Sequence, residues 1–336
     1  HMSWAYYDQF QVSFFNMHKF EKTGGVDLFW VLSGFLIYYL YANKAGEDGA
    51  AGNFFGKRLL RIMPFFFFVN MITFAFNEFS TMNDFKHLAG ALLFIPGYEI
   101  IGPAWSLNYT KLFYLLFALY LKWPKGMTLF AIFYCVFLLT GLQWQLYEVG
   151  IDHLFLEFLF HQSGALFILG IASAAYVKKY RLQYPLLPII TGILGYATIW
   201  ANYTYEFFPF EVTQYYGMFA ALVLIGCANI DLKRDLKLPR IVTLAANASF
   251  AVFLIHEQLV GYSEEFVHWL GLKGYPAYFA GIVFIFLIAV GCHFLIEKPL
   301  NRLIKFIVDK ISSWEIPIIR VARQATIYGV VTAIVI

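Results

Sequence analysis

The feature that most constrains this chain is the recurrence of long apolar runs separated by short charged loops. A bilayer core takes about 20 apolar residues per helix. Ten stretches approach that length: 3–17, 24–43, 62–77, 105–121, 127–143, 154–177, 185–203, 212–229, 241–261 and 276–296. Backbone polar groups in lipid must be satisfied within their own segment, so such runs fold as helices. The expected fold class is an all-α, polytopic integral membrane bundle. Composition agrees, since 60% of the 336 residues are hydrophobic and only 13% are charged, well away from soluble domains. The run at 87–96 is too short to cross and reads as a re-entrant or interfacial piece. Residues 299–310 set Leu300, Leu303, Ile304 and Ile307 against Asn301, Arg302, Lys305 and Lys310, the pattern of an amphipathic helix on the membrane surface. The expected division is a transmembrane domain over 3–310 and a tail or partial helix over 311–336.

Lysine and arginine orient the bundle. One set of alternate loops holds Lys44, Lys57, Arg58 and Arg61, then Lys122 and Lys125, then Lys178, Lys179 and Arg181. It continues with Lys233, Arg234, Lys237 and Arg240, and ends with Lys298, Arg302, Lys305 and Lys310. The other set holds Lys19, Lys22, Lys86 and Lys273 among many acids. Ten spans with both termini cytoplasmic satisfy this pattern. No basic patch stands apart from these loops, so nucleic-acid binding has no support. Cys135, Cys227 and Cys292 lie inside apolar runs without metal-ligand spacing and read as packing residues. No metal site is expected.

Several motifs bring polar chemistry into this background. In the stretch from Gly24 to Ile37, Asp27, Trp30 and Gly34 share one helical face: an acid, an indole and a gap. A carboxylate there is costly unless it meets a partner or a cavity. Lys57 to Pro64 leads into the third span, with Pro64 in the first turn, where proline is tolerated. Arg58 and Arg61 are three apart and reach one face at the cytoplasmic surface. They serve either as a positive-inside anchor or as a phosphate clamp, which guanidinium geometry suits. Pro103 to Tyr114 opens a span from the outer side, with Trp105, Asn108 and Lys111 in line and Lys111 roughly 9 Å deep. An interfacial tryptophan with a snorkelling lysine uses the same residue types. The ninth span ends with His256 and Glu257 near the outer face. Glu297-Lys298-Pro299 closes the tenth, where proline signals a helix stop. Glu157 and His161 are four apart in the sixth span, within reach across one turn. His87, His153, His268 and His293 show no evident partner.

None of these motifs is specific alone, but their order resembles the membrane-bound acyltransferase-3 family, over about residues 12–305. The resemblance rests on Gly25-Val26-Asp27-Leu28-Phe29 with Leu32-Ser33-Gly34-Phe35-Leu36, the Lys57–Pro64 arginine motif, Trp105-Ser106-Leu107 with Phe113-Tyr114, the Ser249–His256 stretch and Glu297-Lys298-Pro299. The loop at 93–108 looks most like the branch that includes exopolysaccharide and O-antigen O-acetyltransferases. The resemblance implies transfer of an acyl group, usually acetyl, from cytoplasmic acyl-CoA (acetyl-CoA) to a hydroxyl of a cell-surface carbohydrate. It implies a bacterial inner-membrane location, with acyl-CoA, the carbohydrate acceptor and the lipid bilayer as partners and no metal. Arg58 and Arg61, with Lys57, match the donor-binding motif. Asp27, Trp105, Asn108, Lys111 and His256 would shape the channel where thioester and hydroxyl meet. Ser33, Gly34 and Glu297 belong to structural motifs.

The chain departs from the family pattern at three polar positions. Asn16 stands where a catalytic histidine is expected, and His18, two residues on, is the candidate base. Ala5 or Tyr6 replaces an early arginine, and Thr110, beside Lys111, replaces an acid. A divergent active enzyme using His18, an inactive relative and an engineered variant all accommodate these departures. A membrane transporter or sugar flippase is the alternative from another class. The chain shows no internal repeat and no matched pair of Gly/Pro-broken helices to favour it.

Overall fold

The computed structural model describes residues 2–10, 23–76, 82–140, 158–161, 163–208, 215–233 and 238–313. In chain order its helices are α1 (Met2–Phe10), α2 (Gly25–Tyr41), α3 (Ala50–Phe76), α4 (Met82–Leu92), α5 (Trp105–Lys122), α6 (Pro124–Thr140), α7 (Ser163–Lys179), α8 (Leu186–Tyr205), α9 (Tyr216–Lys233), α10 (Arg240–Ile255), α11 (Val260–Trp269), α12 (Gly274–Cys292) and α13 (Lys298–Ser313). No strand occurs among the described residues. The protein is an all-α membrane bundle. Gly25–Lys44, Ala50–Phe76, Tyr216–Lys233 and the continuous Gly274–Val308 are each long and apolar enough to cross a bilayer. The bent pair α10 and α11 adds a fifth if its two arms count as one span. Shorter apolar stretches fill α6 and α8.

The centre of the bundle is the pairing of α2 with α7, the most extensive helix contact. Glycine makes it possible. A Cβ added at Gly34 would stand 2.1 Å from the Phe167 carbonyl oxygen, and one at Gly170 would stand 2.0 Å from that of Val31. Each backbone therefore occupies the gap left by the other's glycine, the close approach on which helix association in lipid depends. Two apolar clusters hold the surrounding helices. Ile37, Phe54, Phe113, Phe117, Leu121 and Phe167 join α2, α3, α5 and α7. Phe65, Phe66, Phe94, Ile101, Leu107 and Leu254 join α3, α5 and α10 with the loop between α4 and α5.

Several local expectations are corrected. The arginine motif is not a loop leading into a helix: α3 starts at Ala50, so Lys57, Arg58 and Arg61 lie inside it and Pro64 is interior. The proline removes one hydrogen bond to the carbonyl four residues back, a loss that membrane helices tolerate. The run 241–261 is not one straight segment, because the chain breaks after Ile255 and α11 leaves at 100° to α10. Nor does Glu297-Lys298-Pro299 stop the last helix. Residues His293–Glu297 form one π turn and α13 continues from it. Pro299 cannot donate to the turn behind it, and widening the ladder by one residue just before accommodates that lost donor. His293, expected without a partner, pairs there with Glu297, Nδ1 to Oε2 at 2.8 Å. The Glu157–His161 pairing involves a position outside the described residues. His161 precedes α7 instead of lying within a helix, and its Nδ1 is engaged by Ser163.

Candidate active site

Polar side chains gather at the two ends of the α2–α5–α7 group. At one end Arg58 lies over the rings of Tyr41, Phe54 and Tyr114, at 5.5, 5.8 and 5.9 Å from their centroids. Such cation–π contacts hold a guanidinium without neutralising it. The Arg58 Nε is buried and finds no acceptor among the described residues. Arg61, nearly one turn on, is exposed, as is Lys57, and both arginines lie within electrostatic reach of Tyr114. The ends of neighbouring helices converge here. The Gly46 N–H donates to the Leu121 carbonyl at 2.7 Å, and Lys178 Nζ donates to Asn43 Oδ1 at 3.0 Å.

The opposite end is aromatic. Trp30 from α2, Trp105 and Tyr109 from α5, and His161 before α7 form a box. The Trp30 ring is roughly perpendicular to the other three at centroid distances of 5.6, 6.2 and 5.7 Å, and Tyr109 stacks on His161 at 4.3 Å. Trp105 and Tyr109 also line an open cleft of about 160 Å³ with Pro96, Gly97, Glu99, Asn108 and Phe158. Glu99 is fixed in it: Asn108 Nδ2 donates to Oε1 at 2.6 Å and the Gly97 N–H to Oε2 at 3.0 Å. Along α2, the eleven residues from Trp30 to Tyr41 separate the box from the guanidinium end by roughly 16 Å.

Two histidines near this end hold opposite tautomers. The Ser163 backbone N–H donates to His161 Nδ1 at 3.2 Å. A backbone N–H can only donate, so Nδ1 is the acceptor and the proton of a neutral ring sits on Nε2. His256 is the reverse: its Nδ1 lies 2.8 Å from the Phe253 carbonyl and 3.2 Å from that of Val252. Carbonyls only accept, so Nδ1 carries hydrogen and in the neutral ring Nε2 is the acceptor. The ring thereby caps the end of α10, and beside it the Glu257 carboxylate packs on Gly102, where an added Cβ would meet Oε2 at 2.0 Å.

Of the residues singled out from the sequence, Trp105 and Asn108 meet in the cleft. Lys111 turns away from it, donating to the Leu93 and Phe94 carbonyls at 3.2 and 3.3 Å and lying 4.2 Å over the Phe94 ring. It secures the loop that carries Glu99. Asp27 is buried in the first turn of α2, within electrostatic reach of Tyr196 on α8, and is not among the cleft-lining residues. Thr110 bonds back to the Ser106 carbonyl at 2.9 Å. Ser33 and Gly34 lie in α2, and Glu297 is spent on His293. His18 lies outside the described residues. Glu99, Tyr109, Phe158 and His161 were missed as a group. Glu99 sits in an irregular loop with no periodicity to mark it, and His161 drew notice only through its spacing from Glu157. Among the described residues no group of three or more His, Cys, Asp or Glu side chains could hold a metal ion.

A family model described as an acyltransferase domain matches residues 3–297. The exopolysaccharide production protein ExoZ of Rhizobium meliloti (strain 1021) is 23% identical over 309 residues, which cover 85% of this chain and 94% of that protein. No solved structure matches the chain.

Proposed function

The chain belongs to the acyltransferase-3 family, and on that premise we propose that it moves an acyl group, acetyl, from cytoplasmic acyl-CoA to a hydroxyl of a cell-surface carbohydrate. The observation that carries this reading is the separation of two unlike polar ends on shared helices. Arg58, Arg61 and Lys57 supply guanidinium and ammonium groups suited to the phosphates of coenzyme A. The unsatisfied buried Nε of Arg58 is consistent with an anionic partner. The positive-inside rule supports placing that end at the cytoplasm. At the other end, aromatic faces in the cleft suit the C–H faces of a sugar ring, and the fixed Glu99 carboxylate suits its hydroxyls. The name of the relative, which concerns exopolysaccharide production, supports a polysaccharide acceptor. In this reading the pantetheine arm of a donor bound at the arginines spans the roughly 16 Å to the box.

In this reading the acceptor hydroxyl loses its proton to a histidine as its oxygen attacks the thioester carbon. His18 is the candidate from the sequence. His256 is the second, because its tautomer presents Nε2 as an acceptor. The test is transfer of labelled acetyl from acetyl-CoA to a glycan by purified protein in lipid. Arg58→Ala and Arg61→Ala each weaken saturable coenzyme A binding, and His18→Ala and His256→Ala separate the two candidate bases. Binding without turnover, indifferent to His18→Ala, identifies an inactive scaffold. Sugar flux across proteoliposomes without coenzyme A identifies a transporter. Absence of both transfer and thioester hydrolysis in folded protein refutes the enzymatic reading.

A further inference from the structure

We propose that Trp30 and His161 are the paired hydrogen-bond donors that receive the thioester carbonyl oxygen as negative charge develops on it. This rests on the acyl-transfer reading above and assigns the electrophilic half of its chemistry. Trp30 is 2% exposed, and its indole Nε1–H finds no acceptor among the described residues. Leaving a buried donor unsatisfied is costly, and native folds rarely tolerate one without a use. The second donor follows from connectivity. Ser163 opens α7, and its N–H holds the His161 Nδ1 lone pair, with Ser163 Oγ also 2.9 Å from that nitrogen. The proton of the neutral ring is therefore fixed on Nε2, which makes His161 a donor and unsuited to be the base. A neutral imidazole tied to a helix N-terminus is a known means of polarising a carbonyl. The two rings stand 5.7 Å apart, in a box that shares Trp105 and Tyr109 with the acceptor cleft.

Atoms and electrons balance in this step. The acceptor oxygen forms a bond to the thioester carbon and the C=O π pair moves onto the carbonyl oxygen, where the two N–H groups meet it. When that pair returns, the C–S bond breaks and its electrons leave on sulfur. The hydroxyl proton, held by the base, passes to that thiolate, giving an ester and the free thiol. Donors of this kind act mainly in the transition state, so their loss lowers kcat and spares KM.

The experiment is steady-state kinetics on Trp30→Phe, His161→Phe and His161→Gln, with the infrared carbonyl stretch of bound acetonyl-CoA, a ketone analogue of the donor. Each phenylalanine variant is expected to lose about 10²-fold or more in kcat with KM little changed. His161→Gln retains more activity, because its amide N–H can donate, and Trp30→Phe leaves the pH profile unmoved. The ketone stretch falls on binding to wild-type protein and returns toward its free value in the variants. Wild-type transfer with both phenylalanine variants within about twofold in kcat, far below the loss of an oxyanion donor, overturns the assignment. An unshifted ketone in the wild type does so too, and needs no variant to fold. If wild-type protein shows neither transfer nor thioester hydrolysis, the acyl-transfer reading itself fails, which is a distinguishable result.

Discussion

Replacing Gly34 by alanine tests the packing on which the aromatic box depends. The new Cβ would lie 2.1 Å from the Phe167 carbonyl oxygen, whereas ordinary contact begins near 3.4 Å. The difference of 1.3 Å between those two distances has to be met by moving α7, since the obstacle is backbone and has no rotamer to change. The reciprocal Gly170→Ala meets the Val31 carbonyl oxygen at 2.0 Å and forces the same separation. Overpacking of this kind costs about 1–3 kcal/mol. In lipid, helix association rests on van der Waals packing, so looser packing along the rest of the seam adds to that cost. Both single variants therefore lower the midpoint of thermal unfolding of the purified protein. The double variant loses clearly less than the two singles added together, because helices parted by the first methyl leave room for the second. Trp30 lies about one turn before Gly34, so the same displacement shifts its ring against Tyr109 and His161. Acyl transfer then falls at temperatures where the variant remains folded. Unchanged midpoints, or strictly additive losses, would refute the close approach and with it the link from seam to site.

Three further outcomes are expected. Arg58→Ala weakens coenzyme A binding at least about tenfold, the value of one charge-assisted hydrogen bond, and Arg58→Lys recovers only part because a point charge lacks the guanidinium fork; titration of the purified variants measures both. Lys111→Met removes the donors from the Leu93 and Phe94 carbonyls and loosens a loop in which Phe94 holds a left-handed φ of 58°. It raises KM for the carbohydrate with little change in donor affinity, as steady-state kinetics with each substrate varied will show. Gly102→Ala sets a Cβ 2.0 Å from Glu257 Oε2 and lowers activity, and adding Glu257→Ala restores part of it; absence of any rescue assigns the loss to another cause.

The pieces that sequence located and misread show where local reasoning ends. Arg58 and Arg61 were recognised as a pair, but counting apolar residues began the helix at Ile62 while the backbone is helical from Ala50. Charge marks where a bilayer ends and says nothing of where a helix does. The run 241–261 contains no proline and only Gly261 at its edge, so composition offers no reason for the break. His256 capping the carbonyls of Val252 and Phe253, and Glu257 seated on Gly102, make the turn after Ile255. At Pro299 the signal for a helix stop was present, and a π turn absorbed it.

The amino-acid sequence by itself determined the class of this protein. Runs of about 20 apolar residues can satisfy their backbone in lipid only as helices, and the ordered motifs along them identify the family. What only the tertiary structure decided is the candidate site. Trp30, the Glu99–Trp105 stretch and His161 come from segments far apart in the chain, and no spacing rule relates them. The α2–α7 seam, set by two glycines facing two carbonyls, brings the indole to the imidazole. The tautomer of His161 depends on one backbone N–H that is left without an intrahelical acceptor because α7 begins two residues later. Helical periodicity is a property of neighbours within a turn, whereas a catalytic arrangement depends on which turns the packing brings together.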